Sequence, residues 1–133
     1  MAIPEKLVAE VVAEAGAKMA DGRYASGLVD EWVRLQPDAS RYVAAHADEL
    51  GGATGVVSVV FHAALLAACF RRQLGRSVRT MLFRELDAVA GGDREATLAA
   101  RQPALADYLH ANVELPAMRR VLTVLALGMD LVT

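Results

Sequence analysis

The stretch ATGVVSVVFHAALLAACF, residues 53–70, carries no charge over 18 residues and runs directly into Arg71-Arg72. It is apolar on every side, with Ser58 and His62 among its few polar interruptions. Such a segment is either the central helix of a packed bundle or a membrane span. A span needs about 20 predominantly apolar residues, and much of this run is alanine, glycine, serine and histidine. Its opening, VVSVV, is β-branched and would suit a strand in isolation. The continuation HAALLAACFRRQL has no turn signal and is strongly helical. The pattern therefore predicts one buried helix over 53–74.

The flanks agree with a bundle. Pro4 suits a helix start, and Leu7, Val8, Val11, Val12, Ala15 and Met19 follow as one stripe. Asp21-Gly22 closes that helix. Ser26 is placed as the cap of a second, with Leu28, Val29, Trp32 and Val33 inward, ended by Pro37. Asp38 is placed as the cap of a third, carrying His46 and ended by Gly51-Gly52. Past the apolar run, Gly75 breaks the pattern. Ser77 is expected to cap a further helix with Val78, Met81, Leu82, Leu86 and Val89 inward. Asp93 caps a short helix to about Arg101, Pro103 begins another, and Pro116 opens the last. The expected fold is all-α: one compact domain over 1–133, with about six to eight helices around the central helix 53–74. No internal repeat of convincing period is visible.

Composition narrows the class. A hydrophobic content of 55% and a mean hydropathy of +0.30 exceed what an average soluble domain needs. The excess belongs in a thick core, a subunit interface or a membrane. The net charge of −2 disfavours a general nucleic-acid binder. The first half holds the negative excess and the second the positive, a polarity able to orient docking. Arginine greatly outnumbers lysine, a bacterial-like composition. The single Cys69 excludes an intramolecular disulfide and a multi-cysteine metal site. The start MAIPEKLVAEVV lacks the basic-then-apolar pattern of a signal peptide, which makes the cytoplasm the expected location.

No complete catalytic set is present, and no cofactor or metal is implied. Three features are candidate sites. Arg71, Arg72, Arg76, Arg79 and Arg84 flank a possible helix–turn–helix at Leu74-Gly75. Arginines at positions 76 and 84, normally apolar in such a unit, and Arg71, where a small residue is usual, speak against that motif; carbonyl-capping arginines at a solvated helix end explain the cluster more simply than anion or nucleic-acid binding. His46 and His62 lie on apolar faces and would share a pocket if their helices pack antiparallel, although ordinary core histidines explain them more simply. Asp107-x-x-His110 has a di-iron spacing, but only once, and His110 falls off its helix's stripe. The third feature is the last helix, apolar almost all round. Either it runs through the bundle or another subunit covers it, with Val124 and Leu131 as candidate interface residues. The leading expectation is a non-enzymatic interaction or assembly module, self-associating or bound to a protein partner. A small-ligand- or metal-binding protein, enzymatic or not, with a pocket near His46 and His62 is the alternative, and anion or nucleic-acid binding through the Arg71–Arg84 cluster is a further one.

Overall fold

The computed structural model describes all residues 1–133 as nine helices with no strand. They are α1 (Glu5–Lys18), α2 (Gly22–Leu35), α3 (Pro37–Ala45), α4 (Ala47–Leu50), α5 (Ala53–Leu74), α6 (Phe83–Val89), α7 (Arg94–Arg101), α8 (Pro103–Asn112) and α9 (Pro116–Val132). The fold is the all-α bundle that the apolar run predicts, with α5 central. The count exceeds six to eight because His46 divides the third helix, separating α4 from α3.

Local chemistry explains most boundaries. Pro37, Pro103 and Pro116 each open a helix, where the missing N–H costs nothing. Asp93 caps α7 by accepting from the Ala96 N–H at 3.1 Å. Gly51 and Gly75 end α4 and α5 at φ 87° and 73°, the left-handed region that glycine enters without penalty. Two expected caps differ. α2 starts at Gly22 because Asp21 accepts from Arg23 N–H at 2.9 Å, which leaves Ser26 inside the helix. Asp38 lies in the first turn of α3 and accepts from Phe83 N–H at 3.3 Å.

The larger correction concerns residues 77–82, expected as the start of a helix. They are non-helical, and α6 begins only at Phe83. The buried side chain of Gln36 holds them. Its Oε1 accepts from Met81 N–H at 2.8 Å and its Nε2 donates to the Arg79 carbonyl at 3.1 Å. The Thr80 hydroxyl adds a bond to the Leu35 carbonyl at 3.0 Å. Backbone groups that a helix would pair internally are satisfied from outside.

The same device occurs a second time. Gln102 Oε1 accepts from Ile3 N–H at 2.8 Å, and its Nε2 donates to the Met1 carbonyl at 2.9 Å. Both glutamines lie between two helices, directly before a proline, with nearly equal backbone angles (φ −129°, ψ 65° and φ −137°, ψ 68°). Each is almost fully buried. The offset that carries Gln36 onto Gln102 also carries Pro37 onto Pro103, Tyr42 onto Tyr108, and buried Trp32 onto buried Leu98. It carries His46, bonded to the Tyr42 carbonyl, onto Asn112, bonded to the Tyr108 carbonyl.

The molecule is thus built twice on one plan: a latched segment, then a helix, a helix, Gln-Pro, a helix and a long apolar helix, with the short α4 as an addition in the first half. The halves are interlocked, since each glutamine latches the segment that opens the other half. Packing follows the same exchange. α1 lies on α5 and α8, as α6 lies on α9 and α3; α2 lies on α5, as α7 lies on α9. α5 and α9 pack against each other at the centre. Leu66 of α5 and Leu122, Leu125 and Met129 of α9 are essentially inaccessible there. A repeat is therefore present, and only a few of its positions keep the same residue type.

Candidate functional site

The last helix resolves the choice posed by its composition. Every residue from Val121 to Asp130 is buried within the single chain. Val124 is only 1% exposed, so it is a core residue and not part of an outer interface. Leu131, at the end of the helix, is 51% exposed. Full circumferential hydrophobicity here reflects a core position between α5, α6, α7 and α8.

The incompletely covered apolar helix is α5. It is the one helix long and apolar enough to cross a membrane by length and composition, and only half of its most apolar window is buried. At 100° per residue, Val57, Phe61, Ala64, Ala68 and Arg71 fall on one face. Val57 is 54% exposed and Phe61 and Ala68 are partly exposed. α2 packs beside this face, and its Val33 is 42% exposed. Between the two helices lies a cleft of about 70 Å³ lined by Leu28, Trp32, Ala64, Ala68 and Val78, with Glu31 and Arg71. The alanines leave the space open. Trp32 is 4% exposed and its indole N–H has no partner.

The arginines do not form one site. Arg71 faces Glu31 at 3.7 Å, which ties α5 to α2. Arg72 meets Glu14 at 2.5 Å, which ties α5 to α1 and holds the Glu14 carboxyl below its ordinary range. Arg79 pairs with Glu85, the residue that also accepts from Leu82 N–H at the start of α6. Arg76 and Arg84 are exposed and have no ion pair. With an extended segment after Gly75, there is no helix–turn–helix.

The histidines have separate partners. His46 Nδ1 donates to the Tyr42 carbonyl at 2.8 Å. His62 Nδ1 lies 2.7 Å from the Tyr108 hydroxyl. Burial lowers the His62 pKa and pushes Tyr108 up to about 12. No group of three His, Cys, Asp or Glu side chains is placed to hold a metal ion. Cys69 is 2% exposed, and burial pushes its thiol up to about 12 despite nearby Arg72.

A second cavity, of about 290 Å³, lies between α7, α8 and α9. Asp107 and His110 line it together with Glu95, Arg119 and Thr123. His110 reaches it because it lies off the buried stripe of α8, the feature that made it look irrelevant in the sequence. Arg119 and Glu95 could not have been placed beside it without the packing of three helices.

The chain matches no protein-family model, and neither the curated proteins nor the solved structures include a significant match.

Proposed function

We propose that the protein is a non-enzymatic helical assembly module that pairs with a second copy of itself through the outer face of α5 and the adjoining side of α2. The observation that carries this reading is the exposure of Val57 on a helix that bears no charge from Ala53 to Phe70. Apolar surface left wet on such a helix is costly, at about 25 cal/mol for each Å². A twofold partner of the same kind removes that surface. The face is also self-complementary in charge. It ends beside Glu31 and Arg71, one acid and one base, whose side chains remain substantially exposed. A twofold axis can bring each against its opposite on the other copy.

Val57→Glu is the direct test. The side chain points away from the core, so the variant keeps the wild-type helical circular dichroism while dissociating to monomer. A wild type and a variant of equal mass would overturn the proposal.

A further inference from the structure

The cavity between α7, α8 and α9 is lined by charges of both signs, two exposed acids and a partly buried arginine. Glu95, Asp107 and Arg119 line it, and none has an ion-pair partner, whereas Arg71, Arg72, Arg79 and Arg101 all do. Arg119 is partly buried, and its Nε–H is enclosed without an acceptor. Its Nη1 lies 3.4 Å from His110 Nδ1. A guanidinium only donates, so Nδ1 faces it as an acceptor. The buried Thr123 hydroxyl donates to the Arg119 carbonyl at 2.7 Å, which leaves its oxygen free to accept. Leu98 and Leu109 supply an apolar wall.

The other half of the molecule provides an internal control. The offset that carries Gln36 onto Gln102 carries Val29, Arg41, Ala44, Ala53 and Val57 onto Glu95, Asp107, His110, Arg119 and Thr123. Four of those five first-half residues are aliphatic, and Arg41 faces Asp38 at 3.8 Å. The packing plan therefore does not require the polar set. At these positions the first half holds valine, alanine and one paired arginine, where the second half holds unpaired acids and a base.

We propose that this cavity binds a small aliphatic zwitterion, one carboxylate and one ammonium on a short apolar body, as in an aliphatic amino acid. Arg119 takes the carboxylate through the terminal guanidinium N–H groups that no protein acceptor holds. Asp107 and Glu95 take the ammonium, with the Thr123 oxygen as a further acceptor. Two carboxylates against one guanidinium give the lining a negative balance, which opposes a simple anion such as phosphate. Separate, unpaired charges of both signs match a ligand that carries both.

Isothermal titration calorimetry tests this with L-leucine and L-valine as probes. Isovalerate (the acid alone), isoamylamine (the amine alone) and inorganic phosphate serve as comparisons. At least one amino acid should bind saturably, one per chain, and each comparison compound should bind at least about tenfold more weakly. Asp107→Asn and Arg119→Gln should each weaken binding about tenfold or more, while Arg41→Ala should leave it unchanged. Thermal melts check folding. Should Arg119→Gln fail to fold, Asp107→Asn and Glu95→Gln decide, since both sites are exposed and without protein partners. The proposal is overturned if neither amino acid binds by about 10 mM. It is equally overturned if isovalerate or phosphate binds as tightly as the better amino acid, or if Asp107→Asn and Glu95→Gln leave affinity unchanged.

Discussion

Replacing glycine by alanine inside a helix normally stabilises it, by about 1 kcal/mol. Two helix glycines here should respond with opposite signs. Gly27, in the middle of α2, has open space where a Cβ would go, so Gly27→Ala should gain up to about 1 kcal/mol. At Gly55, in the first turn of α5, a Cβ would lie 1.7 Å from the Leu50 carbonyl oxygen and 2.6 Å from its carbon. Both are backbone atoms, so no rotamer change relieves the clash. The junction between α4 and α5 must open, and Leu50, 2% exposed, must shift in the core. Overpacking of this kind costs about 1–3 kcal/mol, and displacement of a buried leucine brings the total to the upper end or beyond. Against a propensity gain of about 1 kcal/mol, the net loss is about 2 kcal/mol. Urea denaturation followed by circular dichroism measures both variants from their midpoints at constant slope. A Gly55→Ala protein as stable as wild type would refute the placement of α4 against α5.

Other consequences follow from the latches, the thiol and the buried histidine. Gln36→Ala and Gln102→Ala each strand a buried backbone N–H, of Met81 and Ile3 respectively, and should each cost about 1–3 kcal/mol in the same urea assay; a neutral result at either would refute its latch. Cys69 should react with a thiol reagent at pH 8 far more slowly in the native state than in urea, because it is buried and its pKa stands at about 12. The His62 pKa is lowered by burial, so the unfolded chain takes up the proton first as pH falls below the ordinary value of 6.5. Stability from the neutral ring is fully present above that pH and is lost as pH drops through the folded value. His62→Gln should flatten this part of the profile, and an unchanged slope between pH 7.5 and 5.5 would contradict the assignment.

Much of the helical layout is legible in punctuation. Pro103, Pro116, Asp93 and Gly75 mark real boundaries because each acts through local backbone chemistry. Residues 77–82 are not legible, since their conformation is imposed by a glutamine distant in the chain. The twofold plan rests on Gln-Pro with a tyrosine five residues after each proline, while most other paired positions keep burial and not identity. Valine and leucine, or tryptophan and leucine, serve one place equally well. The apolar α9 left open whether its cover came from the chain or from a partner, because hydrophobicity on all sides demands cover without specifying its source. The charged cavity stayed hidden for the complementary reason. His110 looked idle on the solvent side of its own helix, and only the packing of α7 and α9 brings Glu95, Arg119 and Thr123 beside it.

The central claim is self-pairing through α5. The most direct measurement is the molar mass of the wild-type protein by light scattering across a concentration series without detergent, with Val57→Glu run alongside. The account predicts a dimer that dissociates on dilution and a folded variant that stays monomeric throughout. A wild type that remains a monomer at the highest concentration, or that stays in solution only with detergent, would contradict it.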